Sequence, residues 1–230
     1  MKIRALTLDV GDTLLEDNWD PFGLWIECAN DLGLTAGDAE KNLAFETVAG
    51  RQALRLLADK SGDEAAYMEF WLQTGEEWAK GCGWPGEKGR QVIADSAARV
   101  MDPTSGVLRQ FEDVLPALEQ FRSAGLKMGI VSNWDASLFP VLRAFGLDGW
   151  FESVAASGPV GAEKPDPAIF LAALGPMGVS PAEACHIGDD AIADLRGARG
   201  LNMRALLIDR KSPPSEVYVS SLDQVLERLV

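Results

Sequence analysis

The chain has 230 residues, of which 47% are hydrophobic and 24% are charged, a balance typical of a soluble globular protein with a sizeable core. Its formal net charge of −14 argues against nucleic acid as a partner, because phosphate backbones bind to basic surfaces. The same charge argues against an anionic membrane surface, and no apolar run approaches the roughly 20 residues that span a bilayer.

The first predicted element is a buried strand from about Ile3 to Leu8, where nearly every residue is apolar or threonine. A continuous run of this kind is typical of a strand that is buried on both faces of a parallel sheet. The run ends in the polar segment LDVGDT, in which Gly11 lies between Asp9 and Asp12.

The stretch from about Glu16 to Ser105 is predicted to contain helices and no strand. Apolar residues recur there at helical spacing, in one stripe from Phe22 to Leu32 and in another from Tyr67 to Trp78. Glycines near positions 33 and 62 and in the segment GCGWPG divide the stretch into four predicted helices. We therefore predict a helical domain at residues 16–105, inserted after the first strand.

From about residue 106 onward, predicted strands and helices alternate. The strands are expected at residues 126–132, 151–157, 184–188 and 203–209. Asp166 before Pro167 indicates a helix start, and Ser180 with Glu183 forms a second capping pattern. Repeated strand–helix units predict an α/β core with a Rossmann-like parallel sheet covered by helices on both faces, at residues 1–15 and 106–230.

Polar residues are expected to meet at one edge of this sheet, because ligands bind at the carboxyl ends of parallel strands. These residues are Asp9, Ser132, Asn133, Lys164, Asp189, Asp190 and Asp194. Clustered carboxylates repel one another unless a cation neutralises them, and Mg²⁺ prefers oxygen ligands. The pattern therefore predicts a Mg²⁺ site beside one lysine and one hydroxyl group.

The four segments that carry these residues resemble the ordered motifs of the haloacid dehalogenase (HAD) superfamily of hydrolases. They are LDVGDTLL, IVSNWD, EKPDP and HIGDDAIAD. The resemblance covers the whole chain, and it implies that residues 16–105 form the helical-bundle cap domain of that superfamily. LDVGDT and SNWD also resemble a subgroup typified by haloacid dehalogenase-like hydrolase domain-containing protein 3, whose substrate range is poorly defined.

The resemblance implies a hydrolase, most simply a phosphatase that acts on small phosphorylated metabolites. Asp9 would attack the phosphoryl group and form an aspartyl-phosphate intermediate. Ser132 and Asn133 would bind phosphate oxygens through the hydroxyl and backbone N–H groups. Lys164 would neutralise the nucleophile and stabilise the charge that develops on the transferring group.

The resemblance also implies how Mg²⁺ would be held. Its ligands would be Asp9, the backbone carbonyl of Gly11 and Asp189. Asp190 and Asp194 would orient the metal or the lysine from outside the ligand set. A helix-terminal acid is an equally weighted interpretation of Asp190.

Position 11 departs from the phosphatase pattern of the family. Phosphatases commonly carry there an aspartate that protonates the leaving group and then activates water, whereas this chain has Gly11. Losing a positioned general acid costs about 10²–10⁴-fold in rate. The residue Asp12, beside it, is predicted to have a turn role.

Three functions therefore stay open. The first is a phosphatase with a good leaving group, or one in which Asp12 or the substrate supplies the proton. The second is a 2-haloacid dehalogenase, against which the acids of the fourth motif argue. The third is a catalytically impaired phospholigand-binding or interaction protein.

The remaining candidate residues point to no further chemistry. His186 is the only histidine, and it is expected to pack within its strand. Cys28, Cys82 and Cys185 have no metal-binding spacing and are predicted to be reduced thiols of a cytoplasmic protein. The sequence does not specify the oligomeric state or the substrate.

Overall fold

The chain forms two compact units. The computed structural model describes residues 2–17, 20–211, 213, 215 and 217–229. One unit comprises Met1–Asp17 and Arg109–Val230, and is called the α/β unit below; the other comprises Asn18–Leu108, and is called the helical unit. No helix in the described part of the chain is both long and apolar enough to cross a bilayer.

The helical unit has five helices in its described residues. They are α1 (Pro21–Asp31), α2 (Asp38–Gly50), α3 (Gln52–Lys60), α4 (Glu64–Gly81) and α5 (Gly86–Val100). The prediction of four helices is wrong, because the chain leaves helical geometry at Arg51, with φ of −107° and ψ of 12°. Arg51 directly follows Gly50, whose low helix propensity favours an end at this point.

Helices α4 and α5 contact each other through glycine backbones. A Cβ atom on Gly89 would lie 1.8 Å from the carbonyl oxygen of Gly75, and one on Gly75 would lie 2.6 Å from the carbonyl oxygen of Gly89. Only residues without a side chain allow this approach, so the two glycines fix how α4 and α5 pack.

We expect Gly89→Ala to destabilise the helical unit by about 1–3 kcal/mol, because the added methyl group must push the two helices apart. Thermal unfolding measures the effect as a lower Tm. Gly50→Ala is the matched control, since a Cβ there would meet no atom within 4 Å. That control should change stability by no more than about 1 kcal/mol, and equal Tm values for the two variants would contradict the packing described here.

The α/β unit has eight strands in its described residues. They are β1 (Ala5–Leu8), β2 (Leu15–Glu16), β3 (Arg109–Gln110), β4 (Lys127–Ser132), β5 (Ser153–Ala156), β6 (Ala184–Gly188), β7 (Arg204–Ile208) and β8 (Tyr218–Val219). Six of them form one parallel sheet in the order β5-β4-β1-β6-β7-β8. The short strands β2 and β3 form a separate antiparallel pair that the sequence did not predict, because two residues carry no periodicity.

Helices flank the parallel sheet. They are α6 (Val114–Ser123), α7 (Leu138–Ala144), α8 (Ser157–Val160), α9 (Pro167–Met177), α10 (Gly197–Gly200) and α11 (Val225–Leu229). The predicted start of α9 is confirmed, since Asp166 Oδ1 accepts a hydrogen bond of 2.8 Å from the backbone N–H of Ala168. The second capping pattern also forms, but it begins only a 3₁₀ turn at Pro181–Glu183.

The predicted fold class, a Rossmann-like parallel sheet flanked by helices, is confirmed. Strand β1 lies near the centre, and all four of its residues are fully buried, which explains why Thr7 is its only polar residue. From β1 the chain first adds β4 and β5 on one side and then adds β6, β7 and β8 on the other. Ligands bind at the carboxyl ends of strands beside such a reversal.

Candidate active site

The carboxyl ends of β1, β4 and β6 surround a cavity that is lined by residues of the α/β unit. All eight positions singled out from the sequence line it: Asp9, Gly11, Ser132, Asn133, Lys164, Asp189, Asp190 and Asp194. Asp9 directly follows β1, Ser132 ends β4, and Asp189 directly follows β6. The parallel arrangement of the three strands therefore brings these distant residues together.

A buried lysine lies between two carboxylates at the base of the site. Lys164 Nζ is 2.7 Å from Asp9 Oδ1 and 2.7 Å from Asp194 Oδ1. Burial by itself would lower the pKa of Lys164, but the negative charges and hydrogen bonds of Asp9 and Asp194 raise this pKa above its usual value. Lys164 is therefore a fixed positive charge directly beside Asp9.

Asp194 is held in place by several donors. Besides Lys164, its Oδ1 accepts a hydrogen bond of 2.8 Å from His186 Nε2, and its Oδ2 accepts one of 3.0 Å from the backbone N–H of Asp190. Burial opposes ionisation of Asp194, but the hydrogen bond and charge of His186 and the charge of Lys164 hold its pKa well below the usual range. Asp194 therefore stays ionised and orients the lysine.

His186 extends this hydrogen-bonded chain into the sheet. The residue is fully buried in β6, and its Nδ1 lies 2.9 Å from the hydroxyl oxygen of Thr7 in β1. An ionised carboxylate can only accept hydrogen bonds, so His186 Nε2 is the donor to Asp194. The Thr7 hydroxyl group is the hydrogen-bond partner of His186 Nδ1. His186 thus packs within its strand as expected and also orients Asp194, a role that only the three-dimensional contacts reveal.

Gly188 makes room for the Asp194 side chain. A Cβ atom on Gly188 would lie 2.2 Å from Asp194 Cγ, so any larger residue would displace the carboxylate. The sequence alone does not reveal this role, because it depends on a close approach between the end of β6 and a residue of the following π-helical turn.

Asn133 and Asp190 have contacts within the protein that define their positions. The side-chain amide of Asn133 pairs with the backbone of Lys164, accepting from its N–H at 2.6 Å and donating to its carbonyl oxygen at 3.1 Å. Asp190 Oδ1 accepts from the N–H groups of Ile192 and Ala193, and so caps the π-helical turn Ala191–Arg196. The Asn133 side chain thus anchors the lysine loop, and Asp190 has the geometry of a helix cap.

The donor set fits a hard divalent cation. Carboxylate oxygens of Asp9, Asp189 and Asp194 lie within 4.8 Å of one another. Asp189 is exposed at the rim, yet partial burial and the neighbouring charges of Asp9 and Asp194 raise its pKa to about 7. Both oxygens of Asp194 accept hydrogen bonds from the protein, so Asp9 and Asp189 are the carboxylates best placed to share an ion. Protein sites for Mg²⁺ commonly contain one or two carboxylate ligands.

Asp17 is a second residue of the site that the sequence alone did not reveal, and the turn after β1 contacts it through Asp12. Asp12 adopts a left-handed backbone conformation with φ of 49°, and its Oδ1 accepts a hydrogen bond of 3.2 Å from the backbone N–H of Asp17. Asp12 thus has a turn role. Asp17, a half-buried residue directly after β2, lines the same cavity as Asp9.

The fold and the site together define the class of protein. A sequence profile of the family described as haloacid dehalogenase-like hydrolase matches residues 3–202, so the chain belongs to this family and is a hydrolase of the HAD superfamily. The resemblance to the subgroup is also confirmed. The chain is 36% identical over 248 residues to haloacid dehalogenase-like hydrolase domain-containing protein 3 of Danio rerio, covering 99% of this chain and 96% of that protein.

Further comparisons concern part of the chain or the fold alone. A glyceraldehyde 3-phosphate phosphatase of Methanopyrus kandleri is 34% identical over 121 residues, which is 52% of each chain. Among solved structures, a 2-haloacid dehalogenase from Pseudomonas syringae pv. Tomato has a TM-score of 0.73 at 20% identity, with 99% of this chain and 98% of that chain covered. A HAD phosphatase from Thermococcus onnurineus has a TM-score of 0.62 at 22% identity, with the same coverage.

Proposed function

We propose that this hydrolase is a Mg²⁺-dependent phosphatase of small phosphorylated metabolites that uses Asp9 as its nucleophile. The observation that carries the proposal is the ion pair of Asp9 with a buried lysine, beside the exposed Asp189 whose pKa is raised. The similarity to a phosphatase of Methanopyrus kandleri over half of the chain supports it. Asp189 also favours phosphatase activity over dehalogenation. Halide leaves without a phosphate group, so a dehalogenase has no phosphate charge for a metal ion to balance.

In this proposal each residue has a distinct task. Asp9 attacks the phosphorus atom in line and becomes an aspartyl-phosphate. Lys164 offsets the negative charge at Asp9 and on the transferring group, because its ammonium group is already oriented by Asp194. The buried Ser132, at the end of β4, donates a hydrogen bond from its hydroxyl group to a phosphate oxygen.

Mg²⁺ would be held by Asp9, Asp189 and the backbone carbonyl of Gly11. When bound, the ion supplies positive charge that screens the phosphate oxygens from the carboxylates. A glycine at position 11 is compatible with this task, because the ligand is a backbone group. Asp194 acts outside the ligand set by fixing the lysine.

Hydrolysis of an aryl phosphate with and without Mg²⁺ tests the proposal, and Asp189→Asn sharpens the test. We expect this substitution to weaken Mg²⁺ binding by at least about 10-fold, because it removes a charged ligand. Isothermal titration calorimetry measures the affinity independently of turnover. Asp166→Asn removes the same charge at the start of α9, outside the cavity, and should leave Mg²⁺ affinity unchanged, because asparagine also caps helices.

Two outcomes would contradict the proposal. Unchanged Mg²⁺ affinity in Asp189→Asn would exclude the metal site described here. Phosphate binding without turnover of any ester, in the presence of saturating Mg²⁺, would favour the alternative of a phospholigand-binding protein.

We also propose a cytoplasmic location, and the cysteines support it. Cys28 and Cys185 are buried, Cys82 is half-buried, and all three are free thiols. Burial raises the pKa of Cys185 to about 12 and that of Cys82 to about 11, so both stay protonated. Unpaired, unreactive thiols are typical of a reducing compartment.

A further inference from the structure

We propose that Asp17 supplies the proton-transfer group that position 11 lacks. The inference rests on the proposed phosphatase function and adds a catalytic residue to it. Asp17 lies outside all four sequence motifs, six residues after the glycine.

The carboxylate of Asp17 lies in the space that a side chain at position 11 would use. A Cβ atom on Gly11 would be 3.2 Å from Asp17 Oδ2 and 3.7 Å from Asp17 Cβ. The backbone of Gly11 has no positive φ, so its conformation does not require glycine. The missing side chain instead leaves room for a carboxylate that reaches the same place from another part of the chain.

The local structure holds Asp17 at the cavity. Its backbone N–H donates to Asp12 Oδ1, which ties it to the turn that follows the nucleophile. The preceding residue, Glu16, pairs with β3 in the antiparallel ladder, and its Oε2 lies 2.6 Å from Arg109 Nη2. These two contacts, at Asp17 itself and at the residue before it, hold the backbone at Asp17, whose side chain lines the cavity together with Asp9 and Lys164.

Asp12, the other acid in this turn, is less suited to the task. Its Oδ1 accepts the Asp17 N–H and so closes the turn. Asp17, which approaches the position of a side chain on Gly11, has the geometry of a replacement.

Asp17 transfers a proton in each of the two chemical steps. As Asp9 forms a bond to phosphorus, the ester P–O bond breaks, and the leaving oxygen keeps the electron pair and takes a proton from the Asp17 carboxylic acid. The Asp17 carboxylate then takes a proton from water while the water oxygen bonds to phosphorus. The Asp9–phosphorus bond breaks in that second step, which releases phosphate and regenerates both carboxyl groups.

Comparing two classes of substrate in Asp17→Asn tests the inference. An alkyl phosphate such as glycerol phosphate has a poor leaving group that needs a proton, whereas p-nitrophenolate leaves without one. We expect kcat/KM to fall by about 10²–10⁴-fold for the alkyl ester and by less than about 10-fold for the aryl ester. Because the second step also needs Asp17, the variant should release a stoichiometric burst of nitrophenol and then turn over slowly.

Two further variants separate catalysis from structure. The swap Gly11→Asp/Asp17→Asn should recover part of the lost kcat/KM on the alkyl ester, since it moves the carboxylate to the neighbouring backbone position. Asp166→Asn makes the same change from carboxylate to amide outside the cavity and should leave kcat/KM on both esters unchanged. Circular dichroism and thermal melting establish that each variant is folded.

The possible failures are distinguishable. A wild-type protein that hydrolyses neither ester would overturn the proposed phosphatase function and this inference with it. An active wild-type protein whose Asp17→Asn variant loses both esters equally, with no burst, would overturn the inference alone.

Discussion

Replacing Asp9 with asparagine should abolish hydrolysis of phosphate esters, with kcat reduced by at least about 10⁴-fold. Removing the nucleophile of an enzyme that works through a covalent intermediate typically has effects on this order or larger. Asparagine preserves the shape of the side chain but carries an amide, which cannot form the acyl phosphate. Phosphate release from an aryl ester at saturating Mg²⁺ measures the loss.

The structure also predicts what this variant keeps. Lys164 contacts Asp194 as well as Asp9, so it retains one charged partner when the other becomes an amide. The amide oxygen of the variant can still accept a hydrogen bond from Lys164 Nζ, and the Tm should stay close to that of the wild type. Intact-mass measurement after acid quenching should find a phosphoryl group on the wild-type chain and none on the variant.

Asp166→Asn is the matched control, because it makes the same chemical change at a position outside the cavity. Full activity in Asp166→Asn and none in Asp9→Asn would assign the loss to the nucleophile. If Asp9→Asn kept more than about one hundredth of the wild-type kcat, the covalent mechanism would be wrong.

The sequence was sufficient to predict the sheet and the group of residues around the cavity. The buried parallel strands are mostly apolar runs, and each of β1, β4 and β6 is followed or closed by a polar residue of the site. Since ligands bind at the carboxyl ends of parallel strands, Asp9, Ser132 and Asp189 had to lie near one another once the sheet was assigned. The order of the motifs along the chain then linked them to one superfamily.

The parts that the sequence did not reveal depend on contacts without a local pattern. Glu16 pairs with Arg109 across 93 positions in strands of only two residues, so nothing local predicts where the following Asp17 lies. Gly188 is needed because the Asp194 carboxylate packs against it, and no periodicity encodes that approach. The break after Gly50 was missed because a single glycine is also tolerated within a helix.

Lys164→Met should both inactivate the enzyme and destabilise the α/β unit. Lys164 is the cation between Asp9 and Asp194, and the residue is only 4% exposed. Removing one partner of a buried ion pair leaves an uncompensated charge, which costs about 3–5 kcal/mol. Losing the positive charge at the reacting centre should lower kcat by about 10²–10³-fold.

The pH dependence of this variant has a definite sign. In the wild type the pKa of Asp194 is below its usual value: burial opposes this shift, but the hydrogen bond from His186 and the charge of Lys164 outweigh it. The stability that Asp194 contributes is thus present above its unfolded pKa and is lost only as pH falls through the folded pKa. In Lys164→Met the pKa of Asp194 is no longer lowered by the lysine, so Asp194 takes up a proton at a higher pH than in the wild type and its unpaired charge is relieved. The difference in Tm between variant and wild type, measured with a chelator present, should therefore narrow from about pH 7 to about pH 4.5.

A double variant separates the structural role of Lys164 from its catalytic one. Lys164→Met/Asp194→Asn removes a buried carboxylate together with its cation, so it should be more stable than Lys164→Met while remaining as inactive. Tm values of the wild type, both single variants and the double variant give the energetic coupling. The double variant should lose less stability than the two single variants lose in sum, because the two residues share one ion pair. Strictly additive effects would mean that Asp194 does not depend on the charge of Lys164, and the lysine would then act on Asp9 alone.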